Sequence, residues 1–118
     1  GFVALSLEKN KIITLNIEVE NAGMYLLDAR YSNGSGAWNT DNKCAIRSLT
    51  VNDRYEGVLV LPQRGKGEWS DWGFSNIRKI HLNKGKNTLK IHFEDWNNNM
   101  NVDTNTAMLD YLRLIKVD

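Results

Sequence analysis

Ala22-Gly-Met-Tyr-Leu-Leu-Asp-Ala-Arg-Tyr-Ser-Asn33 is the stretch whose reading decides the fold. It follows the polar pair Glu20-Asn21, and Gly23 supplies the positive φ that a tight turn often needs. The residues from Met24 onward are rich in aromatic and apolar types, which is strand composition. Side chains alternate across a strand, so Tyr25, Leu27, Ala29 and Tyr31 share one face and Met24, Leu26, Asp28 and Arg30 the other. The tyrosine face reads as core, and the face with Asp28 and Arg30 reads as half wet. The strand then runs into a loop, 32–43, that carries Gly34, Gly36 and Trp38.

Working outward, Ile13, Leu15, Ile17 and Val19 alternate with Thr14, Asn16, Glu18 and Glu20, the clearest period of two in the chain. One buried and one solvated face is the signature of an antiparallel sheet. Phe2–Leu7, Cys44–Val51, Tyr55–Leu61, Ile77–Leu82, Asn87–Glu94 and Met108–Val117 read as further strands. Asn52-Asp53 and Asn83-Lys84-Gly85 serve as turns, and Pro62 is a strand stop. About eight short strands and no helical period predict an all-β protein, a β-sandwich or barrel.

With 118 residues and no compositional break, residues 1–118 form a single domain, large enough for a real core and short for an enzyme with a closed cleft. The net charge is +1, and no basic face interleaved with aromatics is present, so nucleic acid is not an expected partner. A membrane is not expected either, since no apolar run approaches the roughly 18 residues of a spanning helix. The one cysteine, Cys44, cannot form an internal disulfide and reads as a small core residue. With no signal peptide and apolar sequence from the first residues, the chain reads as a piece of something larger.

Three long segments remain as loops, 32–43, 63–76 and 95–106, and all four tryptophans lie in or at the edge of them. Long loops in compact domains usually carry function. The gathering of tryptophans and asparagines in them suggests a recognition surface. Trp38 is open to two readings, platform or loop anchor. Of the pair Trp69 and Trp72, Trp69 is the expected exposed member. Trp96 follows a strand directly and can cap the core or meet ligand, and Tyr31 lies on the core face of its strand. The five asparagines of 95–106 also suit left-handed turns. This segment lacks the glycine and the closing glutamate of a helix-loop-helix calcium site. His81 and His92 fall on polar strand faces, and two histidines without a third ligand make no zinc site.

Five ordered patterns resemble carbohydrate-binding modules of families 6 and 35. Val19–Asn33 is similar to their second and third strands, with an Ala-Gly-x-Tyr turn and an Arg-Tyr-Ala-Asn-like end. Leu49-Thr-Val-Asn52 resembles their Val-Asn-Gly strand, and Glu68-Trp-Ser-Asp-Trp72 their Gly-x-Trp-x-x-Trp segment. The run from Ile80 to Leu89 resembles their Gly-x-Asn turn, and Leu109-Asp-Tyr-Leu112 their closing strand. The resemblance implies a jelly-roll, galactose-binding-like sandwich without catalysis, appended to a secreted or periplasmic glycoside-processing enzyme whose catalytic domain is the covalent partner. It implies a loop-end site for polysaccharide or oligosaccharide. Tyr31 and Asn33 match the strand end of that site, and Trp69 and Trp72 match its Trp segment.

Two departures stand out. The acidic opening strand that helps hold the family's structural calcium is not matched, and Glu8 and Asp118 are poor substitutes. Where the family places a sugar-binding asparagine, this chain has Ala107-Met108, and Asn105 or the run Asn97–Asn99 is the nearest replacement. The expected ligand contacts are therefore Tyr31, Asn33, Trp38, Trp69, Trp72, Trp96 and Asn105. The alternative is an interdomain-packing jelly roll that binds no sugar. Free-standing hydrolysis by Glu94 and Asp95, or by Glu68 and Asp71, is disfavoured, since neighbours on a strand point apart.

Overall fold

The computed structural model describes residues 2–36, 43–67, 69–97 and 104–117. Within them, antiparallel strands stack in two sheets. The first sheet has the order β1 (Val3–Leu5), β11 (Ala107–Lys116), β3 (Gly23–Ser32) and β8 (Gly73–Phe74), with β9 (Arg78–Leu82) also on β3. The second has the order β2 (Ile12–Val19), β10 (Gly85–His92), β5 (Ala45–Val51) and β6 (Arg54–Leu61). Apart from the β5–β6 hairpin, neighbours in space within these two sheets are distant in sequence, as in a jelly roll.

Each expected strand is present, and the pattern of Ile13 to Val19 is β2 itself. Two features went unforeseen. The loops 32–43 and 63–76 are zipped together by a two-rung ladder between β4 (Ser35–Gly36) and β7 (Gly65–Lys66), and the second loop contains the short β8. Ladders of two residues carry no period, so no sequence pattern announces them. The turns behave as their residues dictate. Asn52 and Asp53 both have positive φ (50° and 66°), the requirement of a two-residue hairpin turn between β5 and β6. Gly23 has φ 149° at the head of β3.

The core lies between the sheets. Tyr25, Leu27, Ala29 and Tyr31 from β3 meet Leu49, Val51, Leu59, Leu61, Leu89 and Ile91 from the second sheet, as their alternation predicts. The half-wet reading of the opposite face of β3 needs correction at Asp28, which is buried. Arg113 from β11 forks onto both its carboxylate oxygens at 3.0 and 2.6 Å and lies 4.0 Å over the Phe74 ring, which covers the pair. That hydrogen bonding holds the Arg113 pKa above its usual value.

One buried charge has no carboxylate among its recorded hydrogen-bond partners. Arg47 on β5 is fully enclosed, and burial pulls its guanidinium down to about 10, still charged at neutral pH. Neutral acceptors meet its two terminal nitrogens: Asn105 through its side-chain oxygen and, at 2.9 Å, its carbonyl, with the carbonyls of Ile46 (2.8 Å) and Ser6 (3.3 Å), while Nε has no partner among the described residues. The Phe93 ring lies 5.1 Å from the guanidinium carbon. Asn105 Oδ1 also accepts from the Ile46 N–H at 2.8 Å, and its Nδ2 donates to the Asn97 carbonyl at 2.8 Å. Removing that amide strips one acceptor from a buried cation and leaves the Ile46 N–H without its partner. Asn105→Ala is therefore expected to destabilise the domain by about 3 kcal/mol in urea unfolding, against within about 0.5 kcal/mol for the exposed Asn21→Ala.

Candidate functional site

At the loop end, Tyr31 and Asn33 are interior residues, a correction to their expected role as ligand contacts. The Tyr31 hydroxyl donates to the Pro62 carbonyl at 2.8 Å, and burial raises its pKa. Asn33 Nδ2 donates to the carbonyls of Leu61 (3.0 Å) and Lys43 (3.3 Å), while its Oδ1 accepts from Ser35 N–H at 3.0 Å. Its amide is consumed in holding three chain segments together. Asn105 needs the same correction, since it is spent on Arg47, Ile46 and Asn97.

The described tryptophans are not brought together. Trp38 lies outside the described residues, as do Glu68, Asn98 and Asn99. Trp69 is half-buried at the β4–β7 ladder, its indole lying over Gly34 so closely that a Cβ there would sit 2.6 Å from Nε1. Trp72, three residues on, goes to the outer face of the five-stranded sheet. There it packs against Phe2 (5.9 Å between centroids) and Arg30 (5.2 Å). Arg64 bonds the Asp71 carbonyl at 3.0 Å and reaches its carboxylate at 3.4 Å, which closes the loop between the two tryptophans.

Trp96 is different. It sits in a 3₁₀ turn, Asp95–Asn97, that carries the chain from β10 back over β5, and its ring is 64 % exposed. Its edge is nonetheless fixed. Nε1–H donates to Ser48 Oγ at 3.1 Å, and the Tyr55 ring, 54 % exposed, meets it edge-on at 6.4 Å. Asn97, fully buried, donates to the same Ser48 oxygen at 3.0 Å and accepts the Glu94 N–H at 2.6 Å. Because Asn105 donates to the carbonyl of Asn97, the clamp on Arg47 and the seat of Trp96 form one hydrogen-bonded network.

Beside this ring pair lies a shallow depression of about 310 Å³ lined by Ile12, Thr50, Asp53, Lys90, His92 and Glu94. His92 joins two of them, with Nε2 2.8 Å from Thr50 Oγ1 and Nδ1 2.8 Å from Glu94 Oε1. Sequence reasoning placed His92 on a polar face but missed Thr50 and Tyr55. Alternation would have put Thr50 on that face, whereas its nearness to His92 depends on cross-strand register.

A hydroxyl, imidazole and carboxylate in this order activate nucleophiles in hydrolases. Here Thr50 lies mid-strand, paired with Lys90 on one side and Tyr55 on the other, so ladders flank its backbone and offer no oxyanion-binding pair beside it. Of the other proposed carboxylates, Asp71 is held by Arg64 and Glu68 lies outside the described residues. Among the described residues no group of three or more His, Cys, Asp or Glu could hold a metal. Of the stand-ins for the calcium ligands, Glu8 is exposed and Asp118 lies outside the described residues.

No family model matches the chain. A family 35 carbohydrate-binding module from Clostridium thermocellum superposes with a TM-score of 0.65 over 90 % of this chain and 70 % of that one, at 21 % identity. The chain has the fold of the family 35 carbohydrate-binding modules. The chain also superposes on part of a Paenibacillus cycloisomaltooligosaccharide glucanotransferase complexed with cycloisomaltoheptaose (TM-score 0.62, 26 % identity). That match covers 86 % of this chain and 12 % of the enzyme. Among curated proteins, the chain is 28 % identical over 107 residues to the cycloisomaltooligosaccharide glucanotransferase of Niallia circulans, covering 90 % of this chain. It is 29 % identical over 82 residues (70 % of this chain) to an isomaltosyltransferase of Sporosarcina globispora. It is also 32 % identical over 91 residues (77 %) to mannan endo-1,4-beta-mannosidase B of a Piromyces species. The chain spans only 10 %, 7 % and 14 % of these three proteins.

The contact of Trp69 with Gly34 is directly testable. Gly34→Ala is expected to displace the indole and red-shift tryptophan emission, at a cost of about 1–3 kcal/mol in stability. In a Trp69→Phe background the same substitution should leave the emission maximum unmoved.

Proposed function

We propose that this domain is a non-catalytic carbohydrate-binding module of a larger glycan-processing enzyme, and that its ligand is a glucan of the isomalto type. The observation that carries the reading is Trp96, an exposed indole whose edge is bonded to Ser48 and braced by Tyr55. Fixing a platform before the ligand arrives lowers the ordering cost of binding. Each aromatic platform contributes on the order of 1 kcal/mol, so a ring pair with adjoining hydroxyl and carboxylate groups suits weak binding of a repeating polymer. The ligand class follows the activities for which the glucanotransferase and isomaltosyltransferase relatives are named. Trp69 on Gly34 is a second platform at the loop end, the place the family resemblance implies. The parent enzyme would act outside the cytoplasm, where polysaccharide is met, and this domain would hold the catalytic domain close to it.

A second reading has its own observation. On the outer face of the five-stranded sheet, Arg30 lies between Trp72 and Tyr111, at 5.2 and 5.8 Å, and Phe74 packs between Tyr111 and Arg113. Phe74 and Tyr111 remain exposed, and this surface would seat a neighbouring domain of the parent chain.

Affinity electrophoresis in gels containing dextran, β-mannan or no polysaccharide separates the readings. Retardation by dextran that is lost in Trp96→Ala, with the fold intact by circular dichroism, supports the glycan site. Retardation by mannan alone would overturn the isomalto assignment, and free migration in both gels would leave the packing reading.

A further inference from the structure

Among the polar groups beside Trp96, one arrangement has a consequence for what a bound sugar would meet. A carboxylate only accepts hydrogen bonds, so the contact between His92 Nδ1 and Glu94 Oε1 requires the proton on Nδ1. In the neutral imidazole Nε2 is then an acceptor, and the Thr50 hydroxyl must spend its own proton on it. What Thr50 offers outward in that state is lone pairs alone. Protonating His92 reverses the second bond. Nε2–H becomes the donor, Thr50 Oγ1 the acceptor, and the hydroxyl proton is released toward solvent. At the same step the imidazolium neutralises the carboxylate of Glu94, which otherwise faces the depression as a charged acceptor.

We propose that His92 is the specificity-determining residue of this face, setting through Thr50 and Glu94 whether the site presents acceptors to sugar hydroxyls. Glycan binding then responds to the charge of one imidazole. The inference rests on the sheet face around Trp96 being the glycan site. The charged surroundings of the ring are few. From its own strand come Lys90 and, just beyond the strand end, Glu94. Asp53 comes from the β5–β6 turn, its carboxylate 3.9 Å from the Lys90 ammonium. The β5 positions nearby are the neutral Ser48 and Thr50, β2 places the apolar Ile12 opposite His92, and β6 contributes the neutral Tyr55. Glu94 is thus the charge in direct contact with the imidazole.

The sign follows from the acceptors. A charged carboxylate accepts a sugar hydroxyl proton more strongly than one already neutralised by an imidazolium. Affinity is therefore full where His92 is neutral and falls as pH drops through the range where imidazoles protonate. The effect of one strengthened hydrogen bond is about a fivefold change in affinity. Binding also favours the neutral ring, so ligand lowers the imidazole's affinity for a proton by the same factor.

Isomalto-oligosaccharide and dextran binding should be titrated by isothermal calorimetry at about pH 5 and about pH 8, with the intact domain and with His92→Gln, His81→Gln and Trp96→Ala. The expected result is about fivefold weaker binding at the lower pH. His92→Gln, whose amide can donate to Glu94 and accept from Thr50 without titrating, should have the same affinity at both pH values. His81→Gln, on β9 of the other sheet, should keep the wild-type pH response. Binding that is lost in Trp96→Ala yet equal at both pH values would overturn this inference and leave the glycan site standing. A pH response that survives His92→Gln would also overturn it. No binding at either pH would remove both.

Discussion

A buried guanidinium held by one asparagine governs the arrangement of this domain. Arg47 lies between the sheets with neutral acceptors around it, and Asn105 supplies two of them. An uncompensated charge in that position is costly, so the segment entering β11 must bring Asn105 to one place before the sandwich is stable. Asn105 simultaneously satisfies the Ile46 N–H and bonds the backbone of Asn97. The constraint therefore couples β5, the 3₁₀ turn and the start of β11, three parts of the chain that no local pattern connects.

The seat of the exposed tryptophan follows from that constraint. Asn97 is locked by Asn105 at its carbonyl and by Glu94 and Ser48 at its side chain, which sets the turn that presents Trp96. A ring this exposed to water would ordinarily be mobile at the surface; here its edge and its flank are both held. The rigid interior thus extends outward as a fixed apolar plane beside a hydroxyl, an imidazole and a carboxylate. That combination suits a sugar ring, which has an apolar face and a rim of hydroxyls.

The asparagines show how one residue type divides between structure and recognition. The family resemblance makes Asn33 a candidate for ligand contact and offers Asn105 or the Asn97–Asn99 run in place of the missing sugar-binding asparagine. Asn33, Asn97 and Asn105 each instead spend the amide on backbone or side-chain groups buried with it. Asn87 does the same at the β9–β10 turn, bonding both Asn83 and Gly85. Loops that leave a sandwich and return carry unpaired backbone groups, and a side-chain amide matches them with both a donor and an acceptor. In this protein the asparagines close the loops, and the exposed aromatic ring is left to face outward.

The amino-acid sequence determined the strands, the turns and the core face of β3, because alternation, Asn-Asp and Gly signals and β-rich composition act over a few residues. Ile13 to Val19 and Tyr25 to Tyr31 fall where their periods place them. Motif order along the chain was also enough to indicate the family resemblance. Which tryptophan would be exposed was settled only by tertiary structure. Trp69, the expected exposed member, is half-buried, Trp72 turns to a different surface, and among the described tryptophans Trp96 is the open ring. The pairing of His92 with Thr50 likewise required cross-strand register, and the role of Asn105 required a partner 58 residues away. Local physics writes the first kind of information into neighbouring residues. The second kind arises when the sheets close and each buried polar group must find its partner.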